Sequence, residues 1–120
     1  MRAPVIADIH HVSINVSDVE RAEAFYVDVL GLTVLPRPDL GVAGRWLDAG
    51  QGRQVHLIES TTIPDDAGQH FAFRVDDIEA ACAHLTSKDV EVAGPFPVGD
   101  ARQAFFHDPD NNRLEFNEPA

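Results

Sequence analysis

The chain has 120 residues, of which 44% are apolar, and it carries 20 acidic residues against nine lysines and arginines. This length and composition predict a single globular domain over residues 1–120, able to bury about two-thirds of its unfolded surface. The formal charge of −11 argues against nucleic acid or an anionic membrane as a partner, because both require a basic face.

The cysteine content and the apolar runs bear on location. Cys82 is the only cysteine, which excludes an internal disulfide and suits a reducing compartment. No apolar run forms a signal peptide or approaches the roughly 18 residues of a membrane span. We therefore expect a cytoplasmic protein with no membrane partner.

The first half of the chain predicts a strand, a helix and three further strands. Apolar and polar side chains alternate over residues 9–16, which is typical of a strand. Ser17 followed by Glu20 resembles a capping box at the start of the helix, and Gly31 supplies its C-terminal stop. The further strands are predicted at 32–35, 45–48 and 54–59.

The second half repeats this scheme. A strand is predicted at 70–75, and Asp76 with Glu79 predicts the capped start of a second helix through Leu85. The segment 108–112 has the proline and asparagine composition of a tight turn. The remaining strands are predicted at 90–93, 103–107 and 113–117.

The two halves match at a fixed offset, and the match includes four possible metal ligands. His11 and His70 each open an apolar strand (70 − 11 = 59), and His56 and Glu115 each lie in a late strand (115 − 56 = 59). The repeat predicts an α+β fold of two tandem βαβββ modules, at about 9–60 and 69–118. Strand alternation places all four side chains opposite the apolar face beneath the helices, and imidazoles with a carboxylate suit a divalent metal.

Three motifs are similar to those of the vicinal oxygen chelate superfamily, the glyoxalase, bleomycin resistance and extradiol dioxygenase group. They are Ile-His-His-Val at 9–12, Ala-Phe-Tyr-Val-Asp-Val-Leu-Gly-Leu at 24–32, and Phe-Phe-His-Asp-Pro-Asp-Asn-Asn-Arg-Leu-Glu-Phe at 105–116. The likeness runs from Ile9 to Pro119. It implies a glyoxalase-like fold in which the sheets of the two modules form an open-barrel cleft around a metal.

The resemblance also implies a ligand set. His11 matches the first-strand ligand, His70 the fifth-strand histidine and Glu115 the last-strand glutamate, while His56 stands where glyoxalase I has a glutamate. We therefore expect a divalent ion such as Ni, Zn, Mn or Fe, since three imidazoles favour a transition metal. Glu115 is also the expected catalytic base, because a carboxylate beside an acidic C–H is suited to proton transfer.

Five further residues are candidates for binding the substrate, each with a structural alternative. Ser13 and Asn15 share the face of His11, where they would bond the substrate or orient a ligand. Trp46 either lines the cleft or packs in the core. Arg74 and Arg102, with Arg45, either grip an anionic substrate or form surface salt bridges. Strand alternation places His10 on the opposite face, as a packed or strand-end histidine.

These expectations leave three functions open. The first is a metal-dependent lyase or isomerase resembling glyoxalase I, acting on a small α-oxygenated compound such as a thiol adduct. The second is a thiol transferase of the fosfomycin-resistance type, which would use His11, His70 and Glu115. The third is a metal-free, bleomycin-type drug-binding protein, for which the negative charge favours a cationic drug. The resemblance also implies a homodimer, with the possibility of module exchange.

Overall fold

The computed structural model describes residues 5–65 and 68–120. The chain divides into two compact units, Met1–Thr62 and Ile63–Ala120, and each contains one four-stranded sheet and one helical segment. The predicted α+β class and the tandem βαβββ arrangement are confirmed, and neither sheet closes into a barrel. No helix in the described part of the chain is long and apolar enough to cross a membrane.

The first unit follows the predicted order of elements. Its sheet has the order β1-β4-β3-β2, with β1 parallel to β4 and the other pairs antiparallel. The helix α1 widens into a π-helical turn over Ala24–Val29, in which the N–H of Leu30 donates to the carbonyl of Phe25. The elements are β1 (His11–Val16), α1 (Val19–Glu23), β2 (Thr33–Leu35), β3 (Gly44–Asp48) and β4 (Gln54–Glu59).

The second unit repeats that topology. Its sheet has the order β5-β8-β7-β6, and β5 is parallel to β8 as β1 is to β4. Its elements are β5 (Phe71–Arg74), α2 (Ile78–Ser87), β6 (Ala93–Val98), β7 (Ala101–His107) and β8 (Arg113–Glu118).

Each sheet buries one face beneath its helix. The buried apolar side chains come from alternate strand positions and from the inner sides of the helices. Alternation therefore directs the intervening residues of β1, β4, β5 and β8 to the opposite faces, where the predicted ligands lie. The fully buried side chains include Val16, Tyr26, Leu47, Leu57, Ile78, Leu85, Phe106 and Leu114.

The helices begin one residue later than the capping signatures predict. Asp18, not Ser17, caps α1 by accepting hydrogen bonds from the backbone N–H groups of Glu20 and Arg21. Asp77, not Asp76, caps α2 by accepting from Ala80. A glutamate from the last strand of each module assists the cap in place of the predicted local glutamate. Glu59 of β4 accepts from the Val19 N–H at 3.2 Å, and Glu118 of β8 accepts from the Ile78 N–H at 2.8 Å.

The predicted strand at 90–93 was wrong, since β6 covers Ala93–Val98. That segment contains Pro95 and Pro97, which lack the N–H that a central strand must donate. The sheet tolerates them because β6 is an edge strand, and its pairing with β7 shifts register between Ala93 and Phe96. The turn after β7 follows its prediction: buried Asp108 accepts from the backbone N–H groups of Asp110 and Asn112, and Asn111 has φ 68°.

Candidate metal and substrate site

The second unit brings His70 and Glu115 into direct contact. Glu115 pairs with Ala72 across the parallel strands β8 and β5, and His70 lies two residues before Ala72. The Nε2 atom of His70 is 2.9 Å from Oε1 of Glu115, whose side chain is buried. The repeat predicted these two residues on one face, and the structure places them within hydrogen-bonding distance.

The backbone fixes the tautomer of His70. Its Nδ1 atom is 2.8 Å from the carbonyl oxygen of Gly68, and because a carbonyl only accepts, Nδ1 must donate. With Nδ1 protonated, Nε2 is the ring nitrogen that faces Oε1 of Glu115; because a lone pair and a carboxylate oxygen repel each other, a proton or a cation must lie between the two atoms. Two ligand atoms bound side by side to one metal at about 2.0–2.2 Å lie roughly 3 Å apart. The donor types and the spacing of this pair therefore fit a shared metal ion.

Neighbouring side chains hold this pair in place. Asn117 donates to Oε2 of Glu115 at 3.1 Å, so the other carboxylate oxygen, Oε1, faces His70. The edge of the His70 ring meets Phe105 at a centroid distance of 5.4 Å, and the guanidinium of Arg113 lies 4.4 Å above the Phe105 ring. Such supporting contacts orient metal ligands and tune their basicity.

The first unit arranges its histidines differently, as layers of an aromatic stack. The rings of His11 and His56 are nearly parallel, with centroids 3.9 Å apart, and Trp46 stacks on His56 at 4.8 Å. The strand register explains the stack. Trp46 of β3 and Ser13 of β1 both pair with His56, and His11 lies on the same face of β1 as Ser13, so all three rings lie on one face of the sheet. Trp46 is half-buried there, outside the helix-covered core.

His56 and Glu115 occupy equivalent positions of the repeat but differ in their contacts: His56 is stacked between rings and hydrogen-bonded, whereas Glu115 faces a histidine. Lone pairs in two parallel ring planes do not converge on one point, and Nε2 of His56 is 2.8 Å from Oε1 of Gln54, an acceptor. The pKa of His56 is lowered, first by burial and then by the charges of His11, His10 and Arg37. A neutral, hydrogen-bonded ring follows, and its role as a ligand stays a prediction.

His10 is a strand-end histidine, one of the predicted alternatives, but the prediction that it lies on the face opposite His11 was wrong. β1 begins only at His11, so the period of two does not extend to His10. Its Nδ1 lies 2.9 Å from Nδ1 of His11, and its ring meets His56 edge-on at 6.5 Å. His10 therefore joins the histidines of the first unit.

The remaining candidates are spread over the two units. Ser13 lies opposite His56, and Asn15 donates to the carbonyl of Thr62 at 2.8 Å. Exposed Arg74 pairs with Asp76 at 3.3 Å. Arg102 pairs with Glu118 across β7 and β8, on the face opposite Glu115, where it also meets Glu79 at 3.0 Å. Arg45 is likewise paired, with Glu23.

Two features of the site have no signal in the sequence pattern. One is the carbonyl of Gly68, which acts through its backbone and not its side chain. The other is Arg37, which follows β2 in the proline- and glycine-rich bend and faces His56 closely enough to affect its pKa. Over residues 5–65 and 68–120, no three His, Cys, Asp or Glu side chains are grouped so as to hold a metal together, so the ligand candidates occur as pairs.

Comparison with known proteins gives a consistent result. The family model of the Glyoxalase/Bleomycin resistance protein/Dioxygenase superfamily matches residues 8–116. The Escherichia coli protein YaeR, described as uncharacterized, is 34% identical over 125 residues, covering 94% of this chain and 97% of that protein. A lactoylglutathione lyase from Haemophilus influenzae is 32% identical, covering 92% of this chain and 91% of the lyase.

Solved structures extend the comparison to the fold. A glyoxalase family protein from Bacillus anthracis superposes with a TM-score of 0.88 at 27% identity, over the full length of both chains. TnmS3, an antibiotic binding protein from a Streptomyces species, has a TM-score of 0.81 and 34% identity, covering 98% of this chain and 100% of that chain. The similar proteins thus include both a lyase and an antibiotic-binding protein.

Proposed function

The chain belongs to the Glyoxalase/Bleomycin resistance protein/Dioxygenase superfamily, and from this membership we propose that it is a divalent-metal-dependent lyase or isomerase of the glyoxalase type. Its substrate is a small α-oxygenated compound, such as the adduct of a thiol with a 2-oxoaldehyde. The observation that carries the proposal is the His70–Glu115 pair, in which Nδ1 of His70 donates to the Gly68 carbonyl and Nε2 faces a buried carboxylate oxygen at 2.9 Å. The similarity to lactoylglutathione lyases supports it.

The proposed metal ligands are His70 and Glu115 of the second unit. That His11 and His56 are ligands as well stays a prediction of the repeat, because their stacked rings do not direct lone pairs to one point. A transition metal such as Ni, Zn, Mn or Fe held by these residues would polarise substrate oxygens and acidify the neighbouring C–H. Glu115 is the group that would accept that proton, and the hydrogen bond from Asn117 to Oε2 orients its carboxylate. The Gly68 carbonyl accepts from Nδ1 of His70, so that Nε2 is the ring nitrogen available to a metal.

Metal analysis tests this proposal directly. Protein purified without chelators should contain about one transition metal per chain by mass spectrometry, and His70→Ala should lower the affinity at least 10-fold, since loss of even a supporting group costs 10–100-fold. His84→Ala is the matched control, because this exposed histidine lies on α2 away from the pair. A protein that stays metal-free after incubation with Mn, Ni, Zn and Fe would contradict the proposal.

Turnover supplies the second half of the same test. Glu115→Gln should reduce the rate on the methylglyoxal–glutathione adduct by about 10²–10⁴, the usual contribution of a general base. Fosfomycin with a thiol, offered separately, identifies the transferase alternative by its adduct. Full turnover by Glu115→Gln with metal still bound would place the base elsewhere.

Metal-free drug binding is a second candidate, and the aromatic stack of the first unit favours it. The rings of Trp46, His56 and His11 lie on one sheet face, and flat aromatic ligands bind to such faces by stacking. The antibiotic-binding relative TnmS3 supports this candidate. A bleomycin-type cationic drug would then bind equally well with chelator present and to Glu115→Gln, and its affinity would fall with salt.

A further inference from the structure

Arg37 differs from the other arginines of the first sheet region in having no carboxylate partner. Arg45 pairs with Glu23 and Arg53 with Asp8. Within residues 5–65 and 68–120, Arg37 forms no ion pair; its Nη2 donates to the carbonyl of Val42 at 3.0 Å, and its buried Nε has no hydrogen-bond partner. This is notable in a chain with 20 acidic residues.

The guanidinium of Arg37 has N–H donors that require hydrogen-bond acceptors. A guanidinium remains protonated at any physiological pH and presents its N–H groups as a planar fork. A buried N–H group without an acceptor costs free energy, so buried donors are almost always paired. The buried Nε is out of reach of a ligand, but Nη1 has no partner among the described residues, so half-buried Arg37 provides a fixed positive charge with a donor group that a ligand can reach.

The contact with Gly44 of β3 places Arg37 beside the aromatic stack. Leu35 of β2 pairs with Trp46, which pairs with His56, and Arg37 lies two residues beyond Leu35. Its guanidinium lies over Gly44, where an added Cβ would come within 2.9 Å of Nη2. A Cβ at position 44 would also come within 2.4 Å of the Leu57 carbonyl oxygen, so the sheet backbone itself requires glycine there; the guanidinium lies over this glycine, at the end of the face that carries Trp46 and His56.

We propose that Arg37 is a specificity-determining residue that binds the carboxylate of a small organic acid beside Trp46 and His56. A carboxylate matches the guanidinium fork in bidentate fashion. As a statement about the substrate, the inference rests on the proposed function, to which it adds a carboxylate group. The binding itself requires neither a metal nor turnover, so it succeeds or fails independently.

The competing explanation is that Arg37 only braces the bend at 36–44 through Val42. The two roles differ in what a substitution changes. A brace contributes to stability without distinguishing an anionic ligand from a neutral one. A carboxylate-binding residue sets the ratio of affinities for an acid and its neutral isostere.

The probes are benzoate and benzamide, which have the same shape and differ in charge. Trp46 is the only tryptophan, so its fluorescence reports binding at this face. The protein is titrated with both compounds in chelator, as wild type, Arg37→Met, Arg37→Lys and Arg53→Met. Arg53→Met is the matched control, because it removes an arginine of the same unit whose guanidinium already pairs with Asp8. Urea unfolding of each variant shows that it is folded.

Wild type and Arg53→Met should bind benzoate at least about 10-fold more tightly than benzamide, since a charged hydrogen bond is roughly twice as strong as a neutral one. Arg37→Met should reduce this ratio to about one, and Arg37→Lys should give an intermediate value because it keeps the charge without the fork. Equal affinity for the two probes in wild type, no saturable benzoate binding, or equal losses in the Arg37 and Arg53 variants would overturn the inference. A stability loss in Arg37→Met with an unchanged ratio would establish the bracing role instead.

Discussion

Single residues at equivalent positions of the two modules have different neighbours, and the neighbours decide their chemistry. His56 and Glu115 are related by the 59-residue offset, as are Trp46 and Phe105 (105 − 46 = 59). Trp46 stacks on the ring of His56. Phe105 is instead roughly perpendicular to the ring of His70, and Glu115 lies within hydrogen-bonding distance of that ring. The same backbone position therefore holds a stacked aromatic ring in one module and an acid paired with histidine in the other.

The environment of His56 makes stability depend on pH. Burial, then the nearby His11, His10 and Arg37, lower its pKa below the ordinary 6.5. The unfolded chain then binds more protons than the folded one below pH 6.5, so the free energy of unfolding falls as the pH drops from 6.5 toward the folded-state pKa. In chelator, His56→Phe should keep the stack and flatten this slope in urea titrations from pH 7 to pH 5.

The control for this prediction is His84→Ala, at an exposed position on α2. It should leave the slope of stability against pH close to that of wild type. A slope that is unchanged in His56→Phe would show that other groups cause the loss of stability in acid.

At the scale of elements, the helix starts depend on side chains from distant strands. Asp18 accepts two backbone hydrogen bonds at the start of α1, and Glu59 of β4 accepts a third from Val19. Asp18→Ala should lower the free energy of unfolding by about 1 kcal/mol, the usual cost of losing an N-cap. Ser17→Ala should change it by less than about 0.5 kcal/mol, as substitutions away from caps do.

Chemical denaturation of both variants measures this difference. Asp28→Ala controls for the removal of an acidic charge, because Asp28 is exposed in the last turn of the same helical segment. Equal losses in the free energy of unfolding for Ser17→Ala and Asp18→Ala would contradict the assignment of Asp18 as the N-cap.

The sequence predicts this fold well where periodicity and local turns govern it. The alternation in β1 and the turn around Asp108 depend on neighbours along the chain, and both are confirmed. The start of α1 and the position of β6 depend on tertiary contacts, since Glu59 replaces a local capping partner and β6 tolerates prolines only at the sheet edge. For the site, the pattern brings His70 to Glu115, but ring orientation at His56 and the role of the Gly68 carbonyl depend on packing.

At the scale of the whole molecule, the exposed apolar surface and the net charge have opposite effects on dimer formation. Several large apolar side chains are solvent-exposed in the isolated chain, among them Leu40 at 56%, Phe96 at 47% and Val98 at 48%. Exposed apolar surface favours association, whereas a charge of −11 on each chain opposes it. We predict a homodimer whose association strengthens with salt, because a Debye length of about 8 Å at physiological ionic strength screens the mutual repulsion. Light scattering at micromolar concentration should give twice the chain mass at 0.15 M salt and a lower average mass at 0.01 M salt. A monomer mass at both salt concentrations would rule out the dimer and confine the proposed metal ligands and the Arg37 face to a single chain.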